Sequence, residues 1–157
     1  MRPMGRGHAL RVLALLVGLV ALLAISVPAA TARSRAADVE ADVLARINAA
    51  RASAGRAPLT SDARLVPLAR SHAGRLARSG QLFHRPYVRV MQAVNGTRAG
   101  EVVGVGFDGA SLVTAWLASS VHRSIVLGRG FRLAGVGVAR GTFAGTAAWY
   151  VTVDVAG

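Results

Sequence analysis

The feature that most constrains this chain is its last stretch. Trp149, Val151, Val153 and Val155 alternate with Tyr150, Thr152 and Asp154, a period of two that sends one set to each face of a strand. The pattern predicts a half-buried strand. Upstream, residues 133–140 carry Gly135-Val136-Gly137-Val138, and a turn-rich segment over 141–145 separates the two runs. A β-hairpin therefore closes the chain, and its apolar face needs a covering layer.

Helical periodicity supplies that layer. Val39, Val43 and Ile47 recur every four residues, Asp38, Glu40 and Asp42 crowd the first turn, and Gly55 stands as a stop, predicting a helix over 38–54. Residues 33–37 read as a short flexible start. A second helix is predicted from a cap at Thr60 or Ser61 to about Ser79, with Leu65, Leu68, His72 and Leu76 on its stripe and Gly80 as its stop. Pro67 falls inside it, so the helix must start late or bend. Residues 81–99 show no period and read as irregular, and 101–105 as a short strand. Asp108 is a candidate N-cap for a third helix with Leu112, Val113, Trp116 and Leu117 on one face. Three helices followed by a hairpin, with no internal repeat, predict one α+β layered domain over residues 38–157.

The N-terminus reads as a secretory leader. Arg2, Arg6 and Arg11 precede an apolar run over 12–27, and Ala30-Thr31-Ala32 fits a small-x-small cleavage site. The run is shorter than the roughly 20 residues of a spanning helix. Cleavage after Ala32 is expected, making residues 1–32 a signal peptide and the product secreted and free of a membrane span. An uncleaved N-terminal anchor is the alternative.

The chain has 157 residues and no cysteine, so disulfides, zinc–thiolate sites and cysteine nucleophiles are excluded. All 19 basic residues are arginine, against seven acids. Guanidinium forks suit phosphate and carboxylate, and outside a cell the matching anions are envelope polymers or lipid headgroups. The arginines are scattered singly along the chain, which equally suits a solvated surface. No basic helix or aromatic platform supports nucleic-acid binding.

Several local motifs carry little. Gly104-x-Gly106-x-x-Gly109 matches a dinucleotide fingerprint, but no βαβ unit surrounds it. Asn95-Gly96-Thr97 is a glycosylation sequon. Ser119 and Ser120 lie near His122, yet positions i and i+2 on a helix do not face each other, so no serine triad is built there. His72 reads as a core histidine. His84, Glu101 and His122 remain, each at the start or end of an element. Two imidazoles and a carboxylate are a donor set suited to zinc with an open position.

Six segments, taken together, resemble the CAP superfamily, the cysteine-rich secretory, antigen 5 and pathogenesis-related 1 proteins, also called SCP domains. They are residues 44–51 (Leu-Ala-Arg-Ile-Asn-Ala-Ala-Arg) with Gly55 and Pro58-Leu59, residues 69–73, Leu82-Phe83-His84, Gly100-Glu101, residues 116–123 (Trp-Leu-Ala-Ser-Ser-Val-His-Arg), and Phe131 through Val138 with Trp149-Tyr150-Val151. The resemblance runs over residues 38–155. It implies a three-layer α-β-α sandwich, with Asn48, Arg51, His72 and Trp116 as structural residues. It also implies an open cleft into which His84, Glu101 and His122 project, with Ser119 standing where many relatives have a second glutamate. Val102 and Ile125 replace asparagines of the family pattern, removing polar groups that would orient metal ligands.

The expectation that follows is a monomeric, non-enzymatic binding module for lipid-like or anionic envelope ligands. One alternative is a zinc-assisted hydrolase built on His84, Glu101 and His122. Another is an interaction protein with a vestigial cleft; and in place of a metal site, His84, Glu101 and His122 would form a structural hydrogen-bond cluster in which Glu101 bridges the two imidazoles.

Overall fold

The structure is a computed structural model in which residues 29–157 are described. In chain order its elements are α1 (Ala29–Ser53), β1 (Thr60–Ser61), α2 (Leu65–Ser79), α3 (Val88–Val94), β2 (Ala99–Gly106), α4 (Gly109–Ala118), α5 (Ser120–Val126), β3 (Leu133–Phe143) and β4 (Thr146–Ala156). Apart from the first turn of α1, these elements belong to one compact unit, Arg33–Gly157. The charged start and apolar run that carry the export reading lie outside the described residues. Among the described residues no helix is long and apolar enough to cross a membrane.

The hairpin is the centre of the fold. β3 and β4 pair antiparallel along their whole length around Ala144-Gly145, both at positive φ (49° and 78°). That turn matches the twist of the strands it joins. β2 pairs antiparallel with the other side of β4, and β1 adds two parallel residues beside β3, giving the order β1-β3-β4-β2.

Side chains alternate across the sheet. Val102, Val136, Val138, Val151, Val153 and Val155 face one way and form the main core with Val43 and Ile47 of α1, Leu112, Val113 and Trp116 of α4, and Val126 of α5. The other face meets α2 and α3. There a Cβ on Gly135 or Gly137 would overlap the backbone of Leu65, Ala69 or Arg70, so α2 lies directly on bare strand. Helices on both faces of one sheet make the α-β-α sandwich.

Burial on both faces corrects the half-buried reading of the last strand, since β4 is buried from Ala148 to Ala156. Other boundaries also move. Residues 33–37 are helical within α1 rather than a flexible start. Thr60 and Ser61 form β1 instead of a cap, and α2 starts at Leu65. Pro67 then sits in the first turn, where its missing N–H would have had no intrahelical partner. The irregular stretch 81–99 contains α3. Asp108 caps α4 as expected, accepting from Ser111 N at 2.7 Å. The glycine fingerprint has a packing origin, because Cβ atoms at Gly104 and Gly106 would press on Leu112.

Side-chain clamps tie the layers. Asn48 holds the Leu59 backbone through two bonds of 2.8 and 2.9 Å. Trp116 Nε1 donates to Val103 O at 3.0 Å, covering the edge strand β2. Glu40 of α1 accepts two bonds from Arg70 of α2 and one from Val138 N, where β1 is too short to cover β3.

Candidate functional site

The site grows from strand register. Glu101 of β2 lies directly opposite Asp154 of β4, on the face turned toward α2, and both side chains are fully buried. Opposed residues of adjacent strands sit about 5 Å apart, where like charges repel. The compensation comes from the loop after α2. Arg85 donates from Nε to Glu101 Oε2 at 3.0 Å, from Nη2 to Asp154 Oδ2, and from Nη1 to Leu68 O at 2.9 Å. One guanidinium thus joins two strands and a helix.

A single cation between two buried carboxylates leaves the pair one charge short. Asp154 carries that deficit. Its burial pushes its pKa up to about 6, against the opposing pull of Arg85 and with added repulsion from Glu101. Asp154 Oδ1 and Thr152 Oγ1, on the same face of β4, are buried without hydrogen-bond partners among the described residues. Such a group is costly when charged and less so when protonated.

The two nearby histidines differ. His72 is wholly buried on α2, with Nε2 2.9 Å from Phe83 O and Nδ1 3.1 Å from Arg75 Nη2. A carbonyl only accepts and a guanidinium only donates, so the bonding assigns the proton to Nε2 and leaves Nδ1 bare. Burial, opposed by Glu101, lowers its pKa and favours this neutral form. Glu101 Oε2 stands 3.6 Å from Nε2, a contact that becomes an ion pair only if His72 charges. His84 is 49% exposed, and its Nδ1 donates to Glu101 Oε1 at 2.9 Å. Its Nε2 bonds to no protein group among the described residues and is open to a ligand.

The expected cleft residues therefore divide. His84 and Glu101 meet. His122 and Ser119 join neither of them by a hydrogen bond or ion pair. His122 lies on α5, and α5 packs through Ile125 against Gly100, on the sheet face that Glu101 turns away from. The imidazole beside Glu101 in addition to His84 is His72, which the sequence assigned to the core alone. Among the described residues no three His, Asp or Glu side chains gather to hold a metal. The set His84, Glu101 and His122 does not fit zinc here, because Glu101 is spent on Arg85 and His84 and the third ligand is elsewhere.

Sequence reasoning missed Arg85 and Asp154. Asp154 was visible as the one acid in the closing strand. Its pairing with Glu101 needs the β2–β4 register, which no local pattern encodes.

Beside Arg85 lies a groove of about 380 Å³, with Leu68, Pro86 and Val88 as apolar lining and Arg75 and Arg89 as charged lining. Leu82, Phe83, Tyr87 and Val88, on the loop and the start of α3, are each more than 40% exposed.

Comparison with known proteins agrees with this architecture. The family model described as "CAP: Cysteine-rich secretory protein family" matches residues 44–155. The chain belongs to the CAP family. Three solved structures share the fold of this CAP domain. An outer surface protein from Borrelia burgdorferi superposes with a TM-score of 0.60 at 18% identity, covering 73% of this chain and 89% of its own. An extracellular protein containing an SCP domain from Bacillus anthracis gives 0.62 at 21% identity, over 77% of this chain and 41% of its own. A cysteine-rich secretory protein from Staphylococcus aureus gives 0.61 at 20% identity, over 77% and 39%. The CAP domain thus spans less than half of the latter two. No curated protein sequence matches the chain.

Proposed function

We propose that this CAP domain is an exported, non-enzymatic binding module, and that the groove beside Arg85 takes an anionic amphiphile. The observation that carries the reading is the composition of that groove. Leu68, Pro86 and Val88 offer apolar surface, Arg75 and Arg89 offer cations, and Phe83, His84 and Tyr87 stand exposed on the adjoining loop. An acyl-like segment would lie on the apolar lining while its acidic head meets the guanidiniums. His84 Nε2, oriented by Glu101, supplies one further polar contact.

The buried cluster supports binding over turnover. Both oxygens of Glu101 are held, by His84 and by Arg85. A carboxylate so engaged has little freedom to act as a general base. A leader over residues 1–32, as the sequence predicts, would deliver the domain outside the cell, where anionic lipid surfaces are the matching partner.

The test is sedimentation of the protein with phosphatidylglycerol-containing vesicles and with pure phosphatidylcholine vesicles. Binding is expected to the anionic vesicles, and to fall about tenfold in Arg89→Ser and in Val88→Asp, each of which removes interaction energy of the order of 1–2 kcal/mol. Equal binding to both vesicles, or unchanged binding in both variants, defeats the reading.

A further inference from the structure

We propose a second anion site, independent of the groove, that takes a phosphoryl group at the C-terminal end of α1. A cavity of about 190 Å³ opens there between the Gly55–Ala57 turn and the loop over 129–132. Its charged lining is Arg51, Arg56, Arg129 and Arg132, and no carboxylate lines it. Along the chain these arginines form two pairs, 51/56 and 129/132, more than seventy positions apart, and only the fold brings the pairs to one place.

None of the four forms an ion pair among the described residues; the arginines that do are Arg46, Arg64, Arg70 and Arg85. Arg51 is 1% exposed, and its guanidinium donates to the carbonyls of Ala57, Val126, Gly128 and Phe131. A guanidinium has five N–H donors, so one remains after those four carbonyls. Carbonyl dipoles solvate the charge without neutralising it. Burial, and then repulsion from Arg56, pull the pKa of Arg51 down, as expected of a cation without a counter-ion.

The neighbours add to the field. Arg56 spends Nε on Leu127 O at 3.1 Å, and its two terminal nitrogens have no partner among the described residues. The side chains of Arg129 and Arg132 are exposed and bond to nothing described. Arg98 holds Arg129 O at 2.7 Å, and its guanidinium lies against Gly130, where any Cβ would collide with it. Gly130 takes φ 86°, so the loop is shaped around a fifth arginine.

Several converging guanidiniums without a carboxylate favour a multiply charged oxyanion over a monocarboxylate. The cavity suits a small headgroup rather than an acyl chain. The ligand class is therefore a phosphate, free or esterified.

The test is calorimetric titration of the full chain with inorganic phosphate and, separately, with glycerol 3-phosphate. Saturable binding is expected, weakened about tenfold or more in Arg129→Ser/Arg132→Ser, as charge-assisted bonds are lost. Neither side chain holds the fold together, so the variant is expected to melt at the wild-type temperature. Arg78→Ser/Arg123→Ser removes the same charge elsewhere and is expected to bind like the wild type. Tighter binding of glycerol 3-phosphate than of phosphate assigns an esterified source, and the reverse a free one. No saturable binding, or equal weakening in both double variants, overturns the proposal. Neither result bears on the groove, whose test uses other residues and vesicles.

Discussion

Arg85 holds the most consequential position of any single residue. Among the described residues it is the only arginine bonded to the two opposed carboxylates, and its side chain is 10% exposed against 0% for each of theirs. Removing one partner of a buried ion pair costs about 3–5 kcal/mol, because the remaining charge is stranded. Arg85→Met is therefore expected to lower the unfolding free energy by about that amount, read from denaturant midpoints. Adding Asp154→Asn is expected to recover part of the loss, since one stranded charge disappears. A single-variant loss below about 1 kcal/mol, the scale of an exposed pair, would contradict the clip.

Asp154 also gives a pH signature. Its folded pKa, about 6, lies above the ordinary 3.8. Between those values the folded chain keeps a proton that the unfolded chain releases, so this residue's contribution to stability grows as pH falls through 6 toward 3.8. His72 works in the opposite sense. Its folded pKa lies below 6.5, so the unfolded chain protonates first and stability falls as pH drops below 6.5. Comparing wild type with Asp154→Asn cancels the His72 contribution. The wild type is expected to gain thermal stability relative to the variant between pH 7.5 and pH 5. A pH-independent gap would contradict the assignment.

At the scale of elements, contact between α2 and the hairpin decides the layer spacing. Gly135 and Gly137 let the helix backbone touch the sheet, and α2 then carries His72 and the Leu68 carbonyl to the buried cluster. Gly137→Ala places a methyl where the Ala69–Arg70 backbone stands. The expected cost is about 2 kcal/mol or more, as in overpacked cores. It should be visible as a lower melting temperature and, because the helix must lift, as faster amide exchange in α2. Unchanged exchange would show that the helix is held elsewhere.

Helix and strand types were readable in advance because periodicity is local. The stripe of α2, the Asp108 cap and the alternation of β4 all follow from neighbours in sequence. The start of α2 was not readable. Thr60 and Ser61 cap well as an isolated peptide, but they pair with Leu133 and Ala134, more than seventy positions away. Only after that pairing does Pro67 fall harmlessly in the first turn.

For the whole molecule, arginine without lysine and an excess of positive charge make an anion the expected class of any ligand. They left open whether the arginines do more than solvate a surface. The fold sorts them into different tasks. Arg85 and Arg51 are buried braces, Arg70 locks α1 to α2, and Arg75 and Arg89 line one groove. Arg56, Arg129 and Arg132 line a second cavity. That sorting depends on distances across the chain, which composition does not hold.

The closing hairpin, the helices α1, α2 and α4 that cover it, the family through its ordered motifs, and the absence of thiol chemistry were all legible in the sequence, whereas α3 and α5 were not. Each legible feature rests on residue type and on spacing within a few turns. Tertiary structure alone decided what Glu101 does. Register set Asp154 opposite it, and a loop brought Arg85 between them. The sheet then turned Glu101 away from the face that carries α5 and His122. A carboxylate that looked ready for a metal became the centre of a buried ion cluster, because its partners are fixed by strand pairing and layer packing rather than by neighbours in the chain.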